Sequence, residues 1–227
     1  ACRVMRFAVW QPAGRGRWGG PRGEGGAHSE RQIAGLAAAP RPQTLGPFYP
    51  VNKPLDRDAD LTRIQGVAGR AAGDIIDVAG RVVDRHGRII RSALVEIWQC
   101  NAFGRYDHPR GRRDAPLDPN FQGYGQDVTD EAGGYRFRTI KPPPYPASAS
   151  WMRPSHIHFR IVAPGAGTLV TQMYFAGDPY LARDFIFKEI ADPVARASLV
   201  ATLAPNPMTP QDGAAPSPLA IFEIRLA

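Results

Sequence analysis

From Thr44 onward the chain is punctuated, with short apolar runs recurring between turns rich in Gly, Pro and Asp, and this spacing is the strongest constraint on its fold. Ile75 to Asp84 and Arg88 to Gln99 are rich in β-branched residues and flank Arg85-His86-Gly87, so they read as a hairpin. Tyr135, Phe137 and Thr139 alternate with Arg136, Arg138 and Ile140, the pattern of a half-buried strand. Pro142-Pro143-Pro144 ends it, and a loop is expected over 141–153. His156 to Val162 alternates again, Leu169 to Phe175 is a further strand, and Ala220 to Leu226 is the last. One helix is predicted, with Asp192 as N-cap, Pro193 at the first helical position, and Val194, Leu199 and Leu203 as its apolar side. A parallel α/β sheet needs a helix after nearly every strand, so the expected class is all-β: a two-sheet sandwich of the immunoglobulin or prealbumin kind, with long loops and one short C-terminal helix.

The chain of 227 residues has a net charge of +7, which raises the question of a nucleic-acid partner. Residues 1–44 hold seven arginines against Glu24 and Glu30, a surplus of five, so only +2 falls on the rest. The body therefore presents no basic face for nucleic acid. No apolar run approaches the roughly 20 residues that span a bilayer, so no membrane span is expected. Residues 1–43 are expected to be a disordered basic leader or a truncated signal segment, and 44–227 the folded domain. Ile33 to Pro40 has the small, apolar character of a damaged signal peptide, which leaves cytoplasmic and exported locations both open. Cys2 and Cys100 imply no disulfide framework.

His156 and His158 are two apart in a strand, so both imidazoles project from one face while Ile157 and Phe159 face the other way. Such a pair is a metal-ligand candidate, but the spacing alone serves zinc, copper and iron equally.

The wider context narrows the choice. Trp151 to Ile161 (WMRPSHIHFRI) resembles the signature of the intradiol ring-cleavage dioxygenases, and Tyr135 to Pro146 (YRFRTIKPPPYP) resembles the stretch that carries one tyrosinate ligand in that family. Val95 to Pro109 (VEIWQCNAFGRYDHP) is similar to the segment with the other tyrosinate, and the likeness runs on through PLDPNFQGYG, TDEAGGY, TQMYFAGDP and AIFEIRLA. Within the family the chain resembles the protocatechuate branch, as its iron-bearing, beta-type subunit or as a self-sufficient homo-oligomer. The resemblance implies a non-haem Fe(III) cofactor held by Tyr106, Tyr145, His156 and His158. Two phenolates would offset much of a trivalent charge, whereas zinc sites favour Cys, His and carboxylates, and the iron(II) oxygenases use two histidines and a carboxylate.

It further implies a catechol-type substrate cleaved by O2 between its hydroxyl-bearing carbons, giving a cis,cis-muconate-type diacid. Tyr145 would leave the metal when the catechol binds and act as its base, and Tyr106 would stay bound. Arg153 would face negative charge developing on the ring, and Gln172 would stand near the iron. Tyr49, in the GPFYP run, and Trp98 are candidates to line the pocket. His108 is tempting as a further ligand but is expected to be structural. Ala147 replaces an aromatic that often follows the PYP of the family, which points to an altered pocket. The expected assembly is a homo-oligomer or a hetero-oligomer with a related subunit. The contrasting expectation is a non-catalytic transthyretin- or immunoglobulin-like binding module, which would have no use for these ligands in this order.

Overall fold

The computed structural model describes residues 42–112, 114–207 and 216–226. The expected leader disorder and the signal-like segment Ile33–Pro40 lie outside the described residues, apart from Pro42 and Gln43; Gln43 N donates to Val170 O at 2.7 Å. In chain order the strands are β1 (Ile75–Val83), β2 (Leu94–Trp98), β3 (Tyr124–Val128), β4 (Gly134–Ile140), β5 (Tyr145–Ser148), β6 (Trp151–Arg153), β7 (His156–Ala163) and β8 (Gly167–Phe175). After a 3-10 turn (Leu181–Arg183) come helices α1 (Phe185–Lys188) and α2 (Pro193–Ala197), then β9 (Val200–Ala201), β10 (Leu203–Ala204), β11 (Leu219–Ile221) and β12 (Ile224–Arg225).

Two five-stranded sheets carry the fold, and β5 and β6 form a separate two-stranded ribbon. In the first sheet β1 is central: β4 runs antiparallel along one edge, and β11 and then β12 run parallel to it. The second sheet has the order β3-β2-β7-β8-β9. The core lies where the sheets' inner faces meet. Val78, Phe137, Val95, Ile97, Ile157, Phe159, Ile161 and Phe222 are all buried there, and each such side chain contributes about 1.5–3 kcal/mol. Gly80 in β1 fits a close approach, since a Cβ there would stand 1.8 Å from Phe222 O.

The all-β sandwich is as expected, with three local corrections. The turn at 84–88 exists, with Asp84 N donating to Arg88 O at 2.9 Å, but β1 and β2 are not hairpin partners. After Ile90 N bonds Val82 O, the chain passes through Ser92 (φ 57°) and crosses to the other sheet, where β2 pairs with β3 and β7. A local turn signal fixes the reversal, not the partner of the strand that follows it. The expected loop at 141–153 contains the β5–β6 ribbon. The predicted helix begins as expected, with the Asp192 side chain accepting from Val194 N, but ends at Ala197; Leu203 lies in β10, and α1 precedes it as a second short helix.

Candidate active site

The outer face of the second sheet positions the site. In register, Tyr124, Trp98, His158 and Gln172 form one row across β3, β2, β7 and β8, and His156 lies opposite Tyr174. His156 and His158 therefore project together, with ring centroids 4.9 Å apart, while Ile157 and Phe159 sit in the core. Trp98 stacks on His158 at 4.9 Å and 8°, and Tyr49 packs edge-on against Trp98 at 5.0 Å.

The two tyrosines arrive on segments outside the two main sheets. Asn101 Oδ1 accepts from Phe103 N and Arg105 N, closing a tight loop at Gly104 (φ 73°), where a Cβ would stand 3.0 Å from Tyr145 Cβ. This loop delivers Tyr106 to the histidines, and Phe48 stacks on its ring at 4.5 Å. Tyr145 opens β5 directly opposite Arg153 in β6, so one ribbon supplies both. Tyr106 and Tyr145 lie 5.7 Å apart by ring centroid, and Tyr145 and His156 also 5.7 Å. The structure thus brings together Tyr106, Tyr145, His156 and His158, each at most 5% exposed. His108 is not among them; it packs edge-on against Phe48, and its Nδ1 accepts from Arg110 N.

Hydrogen bonding fixes the ring of one histidine and leaves a nitrogen of the other without a partner among the described residues. His156 Nδ1–H donates to Pro154 O at 2.6 Å, so Nε2 is bare and faces the Tyr106 hydroxyl at 3.4 Å. His158 Nδ1 is buried without a hydrogen-bond partner among the described residues. Burial, and then the Arg153 charge, pushes His156 well below the usual imidazole range and His158 down to about 3, so both rings are neutral. Burial raises the Tyr106 phenol well above its ordinary value, with Tyr145 adding to the effect; burial pushes Tyr145 up to about 12 against the pull of Arg153. Two buried phenols and two neutral imidazoles, with no carboxylate in the shell, fit a highly charged cation able to take phenolate ligands. No cluster of three or more His, Cys, Asp or Glu among the described residues offers a competing metal site.

Beside this set lies a pocket of about 350 Å³ lined by Tyr145, His158, Arg153, Gln172, Arg110 and Arg112, with Ala147, Phe48 and Ile186 among its apolar walls. Arg153 Nη2 donates to Gln172 Oε1 at 2.7 Å, and its Nε to Asp184 Oδ2 at 2.9 Å. Tyr106 and Trp98 border instead a smaller pocket of about 150 Å³. Trp98 and Tyr49 back the histidine from behind, the Tyr49 hydroxyl reaching the buried Glu96 at 3.3 Å.

Sequence reasoning missed Phe48, Arg110, Arg112 and Asp184. Asp184 carries a readable N-cap signal before Phe185-Ile186-Phe187, but nothing local tells that its second oxygen meets Arg153.

A family model of dioxygenases matches residues 44–226. The chain is 52% identical over 139 residues to the protocatechuate 3,4-dioxygenase beta chain of Burkholderia cepacia, covering 60% of this chain and 58% of that one. It is 32% identical over 159 residues to catechol 1,2-dioxygenase of Candida albicans, covering 63% of this chain and 49% of the relative. The chain thus spans about half the length of the curated relatives it matches. Among solved structures it is similar to hydroxyquinol 1,2-dioxygenase from Pseudomonas putida DLL-E4, with TM-score 0.65 and 25% identity over 87% of this chain and 69% of that one. It is also similar to the dioxygenase domain of a carbohydrate-binding fusion from Streptomyces sp. SirexAA-E, with TM-score 0.60 and 26% identity over 83% of this chain and 98% of that one. With the matched region containing both histidines, both tyrosines and the sandwich that holds them, the chain belongs to the dioxygenase family, on the intradiol ring-cleaving side of it.

Proposed function

We propose that this chain carries the catalytic site of an intradiol ring-cleavage dioxygenase, which breaks the bond between the two hydroxyl-bearing carbons of a catechol and places both atoms of O2 in a cis,cis-muconate-type diacid. The observation that carries this reading is the buried set of Tyr106, Tyr145, His156 and His158 beside a pocket that also holds Arg153 and Gln172. These four residues would hold Fe(III), which when bound supplies a Lewis acid that stabilises phenolates and activates the catechol ring toward O2. Tyr145 lines the pocket and Tyr106 does not, so Tyr145 is the phenolate placed to take a proton from an incoming hydroxyl. Arg153, fixed by two partners, offers positive charge to a ring that gains electron density.

The pocket also favours an acidic substrate. Among the described residues Arg110, Arg112 and Arg153 line it and no Asp or Glu does. Arg112 pairs with Asp114 and Arg153 with Asp184, both outside the lining, so the wall itself presents guanidinium groups, and a ring bearing a carboxylate, as in protocatechuate, fits it better than an uncharged catechol. The segment that covers the site comes from this same chain: Phe48 lies on Tyr106, Tyr49 on Trp98, and Gly46 against His158. That supports a site completed by this chain itself rather than by a related subunit. Nothing favours a non-catalytic module, which would gain nothing from burying two phenols and two imidazoles together.

The test is the visible spectrum of the purified chain, expressed alone, before and after anaerobic addition of protocatechuate or catechol. A red-brown tyrosinate-to-iron(III) band that shifts with substrate is expected. A protein that stays colourless after iron reconstitution would overturn the reading.

A further inference from the structure

We propose that Asp184 is a positioning residue for Arg153, an inference that rests on the reading of Arg153 given above. Asp184 is fully buried, does not line the pocket, and precedes α1 as its N-cap. Its two oxygens do different work. Oδ1 accepts from Phe187 N at 2.9 Å and starts the helix; Oδ2 accepts from Arg153 Nε at 2.9 Å. Capping needs a single acceptor, which Ser, Thr or Asn supplies as well. The second oxygen and the charge are needed only by Arg153.

Arg153 is itself buried, and a buried guanidinium without a counter-ion is strongly disfavoured. Asp184 supplies that counter-ion from outside the pocket, Gln172 holds Nη2 at 2.7 Å, and the Trp151 ring lies 5.5 Å from the guanidinium carbon. Held on two nitrogens and against one ring, the planar group has one orientation left, and it faces the pocket. The same carboxylate ties α1 to the site, because Ile186 of α1 lines the pocket and Phe185 packs on Trp151 at 5.4 Å. Asp184 thus sets where a catalytic charge stands without touching the substrate.

The experiment is a double-mutant cycle of D184N and R153Q in the iron-loaded protein, read as kcat and KM for the cleaved catechol, with iron content and urea denaturation of each variant alongside. Asn keeps the cap but turns its amide N–H against Arg153 Nε–H. D184N is expected to lower kcat on the order of tenfold to a hundredfold with KM and iron content within about twofold, and R153Q at least as much. The double variant is expected to be no slower than R153Q, and the denaturation midpoints should be equally non-additive, because one interaction is lost either way. D184S, which keeps a capping hydroxyl, should reproduce D184N and replaces it if D184N does not fold. Losses that multiply in kcat, or a D184N variant with unchanged kcat beside a slow R153Q, would overturn the proposal. A fully active R153Q would instead overturn the role given to Arg153, and the positioning role with it.

Discussion

Glu96 offers the sharpest quantitative test of how the site is supported. It is fully buried in β2, two residues before Trp98, and its carboxylate accepts from Lys53, from the Tyr124 hydroxyl at 2.5 Å, from Arg160 Nη1 at 2.6 Å and from the Tyr49 hydroxyl at 3.3 Å. Glu96→Gln removes the charge while keeping the shape. An unpaired buried charge costs about 3–5 kcal/mol, but Lys53 and Arg160 are each about a third exposed and regain some hydration, so the expected loss is about 2–4 kcal/mol. For a domain of this size that lowers Tm by roughly 5–15 °C. The pH dependence has a definite sign. Burial pushes the Glu96 carboxyl up, but hydrogen bonds from Lys53, Tyr124 and Arg160 outweigh it and hold the group below the ordinary carboxylate range. A depressed folded value means that its stabilisation is complete above the unfolded pKa of about 4.3 and is lost as pH falls through the lower folded value. Urea denaturation of wild type and E96Q should differ fully at pH 7 and converge in acid, below about pH 4. A variant within about 0.5 kcal/mol of wild type at pH 7, or a gap that widens in acid, would refute this account of the network.

Two further outcomes follow from the geometry. His158→Ala should weaken iron binding by at least about 100-fold and abolish ring cleavage while far-UV circular dichroism stays that of a β protein; full iron content and turnover in that variant would remove His158 from the ligand set. Arg112→Gln should raise KM for protocatechuate on the order of tenfold, about 1.4 kcal/mol, and leave KM for catechol within about twofold; an equal effect on both substrates would mean that Arg112 does not read the ring's charge.

Much of the fold and part of the site were legible because they are encoded locally. The alternation at His156-Ile157-His158 reports which side chains share a face, and the strand keeps that promise. Asp192-Pro193 announces a helix start, and the cap is there, though no local signal marks where so short a helix stops. The errors concern partners distant in sequence. The turn at 84–88 forms, yet the pairing of β1 with residues near 140 and 220 is decided by which faces must be buried, and no five-residue window contains that information. Tyr106 and Tyr145 sit on a loop and at a ribbon's start, so no periodicity points to them; only the likeness of whole segments did. Arg110, Arg112 and Asp184 depend wholly on tertiary placement and were beyond reach.

The parallel seating of β11 and β12 beside β1 has a bearing on biosynthesis. Asp77 takes its neighbour from Leu219 and Val83 from Arg225, so a strand that leaves the ribosome early cannot close its second edge until some 140 more residues have been translated. Throughout that interval the nascent chain exposes the kind of open, apolar strand edge that recruits other chains. Production of this protein should therefore respond to chaperone supply and to growth temperature, and a stop codon shortly before Leu219 should send the product into inclusion bodies even though every proposed iron ligand has already been made.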